Sequence, residues 1–189
     1  MKYHLRLHDN FYTVSELVEL WNTTKTYGLP GQQTLDGPVD ETNIPNNIRK
    51  IVQQLPRFVS AGFVKVEGSY NLPPHEDSFL SDKLDPYRNL LGDFYIDWLR
   101  NTGNRKCSLM IPVIGDFKNT HTDLYTKYNK KHVESFTLEQ GPVLFPTSGK
   151  ILHGVDNTQH SQRVTFQISY GESYEYIRDK ILTLGLAQV

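Results

Sequence analysis

The chain has a single cysteine, Cys107, in 189 residues, so no disulfide framework can form within it. A lone thiol suits a reducing compartment, and a cytoplasmic location is expected. Neither sign of charge is in excess: 20 lysines and arginines stand against 21 aspartates and glutamates, a formal net charge of −1. There is no basic run either, so neither nucleic acid nor a membrane surface is expected as a partner. No apolar run approaches the roughly 20 residues that span a bilayer. The N-terminus, Met1 to Arg6, leads into no apolar signal segment. Internal repeats and low-complexity tracts are lacking as well.

What is present is the balance of an ordinary folded domain, 38% hydrophobic and 22% charged, with enough length for one substantial core. The first clear element is a helix near residues 14–23. Thr13 and Glu16 match a capping box, and Val14, Leu17, Val18 and Trp21 form an apolar stripe. Residues 28–43 are rich in Gly, Pro, Asp, Asn and Thr and read as a loop, a candidate lid. A second helix starts near Pro45, carries Ile48, Ile51, Val52 and Leu55 on one face, and stops at Pro56. A strand-like run over 58–69 follows. Asp85-Pro86 then opens a helical segment with Leu90, Leu91, Phe94 and Trp98 as its stripe and Gly103 as its end.

From Lys106 onward the pattern changes to short strands: Cys107–Ile114, Asp123–Tyr128, Val133–Leu138, Val143–Phe145, Ile151–Leu152 and Arg163–Tyr170. Turn clusters separate them, Asp156-Asn157-Thr158 among these. Such spacing predicts a sandwich or barrel. Tyr174 to Leu184 reads as a closing helix capped by Ser173.

The run Arg163–Tyr170 alternates strictly. Arg163, Thr165, Gln167 and Ser169 face one way; Val164, Phe166, Ile168 and Tyr170 face the other. The polar row is either solvated or the lining of a wet internal pocket. His75-Glu76-Asp77 favours the pocket. In an extended segment His75 and Asp77 point the same way, and a distant His153, placed at a turn, completes the 2-His-1-carboxylate triad that binds Fe(II) on one face. Asp77 and His153 stand 76 positions apart, room for the strands a barrel must interpose. A rival pair, His121 and Asp123, leaves only 29 residues before His153, which is tight. Taken singly, each residue also has a structural role open to it. His75 is a loop histidine after two prolines, Asp77 a helix cap, His153 a turn histidine, and Arg163 a partner for a surface carboxylate. His4, His8, His132 and His160 read as surface or loop residues. Cys107, at a strand start with no partner in view, reads as a small buried apolar residue rather than a nucleophile.

Five stretches carry a family resemblance. They are Pro74-His75-Glu76-Asp77, Leu109 to Asp116 with its Ile111-Pro112 pair, Gly141-Pro142-Val143-Leu144-Phe145-Pro146, His153-Gly154-Val155-Asp156-Asn157, and Arg163-Val164-Thr165. In order and context they resemble the 2-oxoglutarate and Fe(II)-dependent dioxygenases, nearest the aspartyl/asparaginyl β-hydroxylase-like and prolyl hydroxylase-like branch. The resemblance spans residues 60–171. One departure is that the Ile-Pro strand carries no histidine or arginine where relatives often do. The resemblance implies an α+β, mainly β fold: a double-stranded β-helix (jelly-roll, cupin-like) with flanking helices. It implies a single domain over 1–189, with an N-terminal helical flank (1–57), a core (58–171) bearing a helical insertion (80–103), and a C-terminal helix (172–189). His75, Asp77 and His153 would hold Fe(II). Arg163 would clamp the distal carboxylate of 2-oxoglutarate, and Thr165 would add a hydroxyl hydrogen bond. Dioxygen would be the oxidant, and a peptidyl side chain or small molecule would be hydroxylated with release of succinate and CO2. Aromatic surroundings, Tyr70, Phe79, Tyr87 and Tyr125, suit either substrate, and the segments 28–43 and 78–104 are candidates for the substrate wall. Two other functions fit the same residues: a zinc- or other metal-dependent cupin-type hydrolase or isomerase, and a non-catalytic jelly-roll binding module.

Overall fold

A strand that puts arginine on one face and phenylalanine on the other needs two different neighbours, and the fold supplies both. The computed structural model describes residues 2–28, 33–66, 68–76, 85–157 and 162–187. Ten strands run in chain order: β1 (Leu5–Arg6), β2 (Thr34–Val39), β3 (Phe58–Val66), β4 (Tyr70–His75), β5 (Cys107–Ile114), β6 (His121–Thr126), β7 (His132–Phe136), β8 (Val143–Pro146), β9 (Ile151–Asn157) and β10 (Arg163–Tyr170). They form two antiparallel sheets, ordered β1-β8-β5-β10-β3-β2 and β4-β9-β6-β7. From β3 onward the chain switches sheet at each step except the β6–β7 hairpin. That is the winding of a double-stranded β-helix.

The helices are α1 (Val14–Thr23), α2 (Asn46–Val52), α3 (Arg88–Leu91), α4 (Asp93–Thr102) and α5 (Tyr174–Thr183). The larger core lies outside the barrel. Val164, Phe166, Ile168 and Tyr170 of β10 share one apolar cluster with Leu17 of α1, Ile48, Ile51 and Val52 of α2, and Ile177 and Ile181 of α5. A second cluster sits between the sheets toward the β7–β8 side, with Met110, Leu124, Phe136, Val143, Phe145 and Ile151. Helices therefore cover the apolar face of the larger sheet, and its polar face turns inward. Among the described residues no helix is long and apolar enough to cross a membrane.

Several expectations need correction. Much of the expected loop at 28–43 is β2, an edge strand; residues 29–32 lie outside the described residues. Gly37-Pro38 reads as a breaker, yet an edge strand tolerates a proline because one side of it needs no ladder donor. β1 and β2 both fall within 1–57, so that flank is not purely helical but extends the larger sheet at both edges. The insertion is described from residue 85, and its apolar stripe has a different phase. Gly92, at φ +85°, separates α3 from α4 and breaks the period. Tyr95, Ile96 and Leu99 are buried instead, while Leu90 and Phe94 are exposed. Thr13 stands at the N-cap of α1 without a side-chain capping bond, whereas Ser173 Oγ accepts from the Tyr176 amide. His153 lies within β9 rather than at a turn.

β4 pairs with β9 as Leu72 opposite Val155 and His75 opposite His153. Pro73 and Pro74 thus face Gly154 alone, two residues against one, which is a β-bulge. Neither proline has a ladder donor to lose. The extra residue resets the alternation, so His75 turns to the same side as Tyr70 and Leu72. Gly154 is required here because a β-carbon on it would stand 2.9 Å from the Leu72 carbonyl oxygen. Gly154→Ala is expected to destabilise the protein by about 1–3 kcal/mol through this overpacking, read as a lower urea midpoint at unchanged slope.

Candidate active site

The inward faces of β2, β3, β4, β9 and β10 line a cavity of about 650 Å³, and of the sequence-predicted residues His75, His153, Arg163 and Thr165 lie on it. His75 and His153 stand opposite each other, with ring centroids 4.3 Å apart. His75 Nδ1 lies 2.9 Å from the Pro73 carbonyl oxygen. A carbonyl only accepts, so Nδ1 carries the proton and Nε2 the lone pair, the tautomer a metal-ligating imidazole needs. His153 is buried, and the Phe145 ring packs edge-on against it at 5.5 Å. Glu76, between His75 and Asp77, is ion-paired to Lys127 at 2.8 Å. Asp77 lies outside the described residues, as does Phe79. Among the described residues no three His, Cys, Asp or Glu side chains cluster to hold a metal.

Arg163 opens β10 on the same cavity and is 4% exposed. It is no surface ion-pair partner. Among the described residues its guanidinium meets no carboxylate, and its Nε is buried without a hydrogen bond. Burial lowers its pKa to about 10, with only Tyr70 opposing the shift. It still carries its full charge at neutral pH. Thr165, two residues on, lines the cavity and donates weakly to the Val64 carbonyl at 3.4 Å; Gln167 continues the row. Tyr70, at the start of β4, lines the cavity near Arg163; burial raises its pKa, Arg163 lowers it and Asp36 raises it.

The rival pair is directed elsewhere. In β6, Thr122 lines the cavity and Leu124 enters the inter-sheet core, so His121 and Asp123 point outward. There Asp123 accepts from Ser135 at 2.6 Å and His121 approaches Asp156 at 3.8 Å. Tyr125 shares that outer face, and Tyr87 is exposed, so neither is a cavity wall. Cys107 is fully buried, and burial with Glu175 and Glu172 nearby pushes its thiol to about 12, an inert side chain. Three further wall residues are not singled out by the sequence. Asp36 and Trp98 fall within 28–43 and 78–104, the segments expected to supply the substrate wall, and Arg105 lies just beyond them.

No protein-family model and no curated protein matches the sequence. Solved structures do. One is a prolyl hydroxylase from Trichoplax adhaerens, in complex with a hypoxia inducible factor oxygen degradation domain peptide fragment. Its TM-score is 0.55 at 8% identity, covering 96% of this chain and 86% of that one. Another is HygX from Streptomyces hygroscopicus with nickel and 2-oxoglutarate bound, at TM-score 0.54 and 11% identity, covering 89% and 82%. A 2OG-Fe(II) oxygenase family oxidoreductase from Burkholderia pseudomallei follows at TM-score 0.50 and 9% identity, covering 86% and 78%. The fold is therefore the jelly-roll of the 2-oxoglutarate and Fe(II)-dependent oxygenases, as the sequence resemblance implied.

A desolvated guanidinium with no carboxylate partner among the described residues weakens the fold. Arg163→Met is expected to raise stability by about 1–3 kcal/mol in chemical denaturation. A less stable Arg163→Met would mean that the guanidinium is already satisfied.

Proposed function

We propose that the protein is an Fe(II)- and 2-oxoglutarate-dependent oxygenase that hydroxylates a peptidyl side chain or a small molecule, releasing succinate and CO2. The observation that carries this function is Arg163, a buried cation without a carboxylate partner among the described residues, on the wall of a cavity that also holds an opposed histidine pair. A small dianion supplies what that guanidinium lacks. Hydrolytic chemistry at the two histidines gives the buried cation no task.

His75 and His153, with Asp77, would hold Fe(II), which supplies the activation of dioxygen. The donor chemistry fits: the Pro73 carbonyl sets the His75 tautomer, and Phe145 packs against the His153 ring. The forked, charged Arg163 would hold the distal carboxylate of 2-oxoglutarate. Thr165, whose hydroxyl makes only a long bond to the Val64 carbonyl, would add a hydrogen bond to the same carboxylate. The apolar cluster beneath Phe145 keeps water from one side of the site. A peptidyl substrate is favoured over a small molecule, since the Trichoplax neighbour carries a peptide.

The test is succinate formation with Fe(II) and 2-oxoglutarate. His153→Ala is expected to reduce it to background. Arg163→Ala should raise the 2-oxoglutarate requirement roughly 10- to 100-fold, the loss of a charge-assisted hydrogen-bonded contact. An unchanged 2-oxoglutarate dependence in Arg163→Ala contradicts the cosubstrate assignment. Bound zinc with no 2-oxoglutarate turnover would point to a hydrolase.

A further inference from the structure

The cavity wall also carries a carboxylate. Asp36, in β2, lines the same space as Arg163 and Arg105. Its register partner is Val64, whose other partner is Thr165, so Asp36 and Thr165 lie in one row across three strands. Two strand spacings put them about 10 Å apart. The carboxylate shares the wall with Arg163 but stands off from it.

Asp36 is held in place on one side. Tyr95 Oη donates to its Oδ2 at 2.7 Å. Tyr95 is itself fixed by stacking on Tyr27, with centroids 4.4 Å apart, and Tyr27 exchanges both backbone hydrogen bonds with Asp36. The Tyr27–Tyr95–Asp36 unit is therefore closed, and it uses one carboxylate oxygen. Among the described residues Asp36 makes no ion pair. Arg105 is near enough to favour its charged form, and its Nη1 donates to Gln167 Oε1 at 3.5 Å. Desolvation outweighs both neighbours and raises the Asp36 carboxyl above the usual range. The adjoining wall is aromatic. Trp98 lies across Gly62, where a β-carbon would stand 2.7 Å from the indole, and its Nε1 donates to the Ala61 carbonyl. Carboxylate beside aromatic surface is the surrounding that cations favour.

We propose that Asp36 is the substrate-recognition residue of this site, and that it takes a basic nitrogen, an ammonium or guanidinium, at the end of an extended chain. This deepens the oxygenase assignment and rests on it only for what happens at the reacting carbon. The 2-oxoglutarate dianion is drawn to Arg163 and repelled from Asp36, so Asp36 is left to a second molecule, of positive charge. Two strand spacings, about 10 Å, separate Asp36 from the Thr165 that neighbours Arg163 on β10, a span that an extended chain of lysine or arginine length can cover.

The test is calorimetric titration of the full-length, metal-free protein with L-lysine and L-arginine, each free and as the Nα-acetyl N-methylamide, with L-norleucine as the neutral control. At least one basic probe is expected to bind, norleucine to bind at least tenfold more weakly, and Asp36→Asn to weaken the basic probe at least tenfold. Asparagine still accepts the Tyr95 hydrogen bond, so a merely structural Asp36 would leave probe binding unchanged. Preference for the free or the capped probe separates a free amino acid from a peptidyl substrate. No binding by any basic probe, equal binding by norleucine, or undiminished binding to Asp36→Asn overturns the proposal. Should Asp36→Asn fail to fold, the lysine–norleucine comparison on the natural protein decides alone. Basic-probe binding that depends on Asp36, in a protein that turns over no 2-oxoglutarate, would refute the oxygenase assignment and leave this one standing.

Discussion

One buried positive charge constrains the rest of this structure. A guanidinium placed between two sheets without a carboxylate partner weakens the fold by roughly 1–3 kcal/mol, and among the described residues Arg163 is placed so at the start of β10. The opposite face of the same strand offsets that loss. Val164, Phe166, Ile168 and Tyr170 are all buried under the helices, so the polar row has no freedom to turn to solvent. The barrel keeps its polar interior because its apolar exterior is the main core. Stability and site are opposite faces of one strand.

A second constraint is the bulge at Pro73-Pro74. β4 arrives with Tyr70 and Leu72 facing inward, and regular alternation would turn His75 out. The extra residue brings His75 opposite His153, and the chemistry of the two chains at that point permits it: prolines on one strand, glycine on the other. The cavity wall also carries both signs of charge, Arg163 on β10, Arg105 beyond α4 and Asp36 on β2, on a chain of almost no net charge.

Much of this was legible in the sequence where the signal was local. The strict alternation of Arg163–Tyr170, the limits of β5, and the separation between His75 and His153 all translate directly into structure. Features set by tertiary context were not legible. β2 was hidden because Gly37-Pro38 reads as a turn signal, and an edge position is one of the few places in a sheet where a proline fits. β9 was cut short because His153-Gly154 and Asp156-Asn157 carry turn residues that here serve a bulge and a strand end. α4 kept a helical period but lost its phase at Gly92. Asp36 was invisible because its significance comes from Tyr95, 59 positions away, and from a strand pairing that no local pattern announces.

The central claim is that the histidine pair and Arg163 form one site for a metal and a dicarboxylate. It is tested most directly by anaerobic titration of the purified protein with Fe(II), with 2-oxoglutarate, and with both, following visible absorption. The account predicts a metal-to-ligand charge-transfer band that requires both components. Iron that binds without any band on addition of 2-oxoglutarate, or a protein that binds no iron, would contradict it.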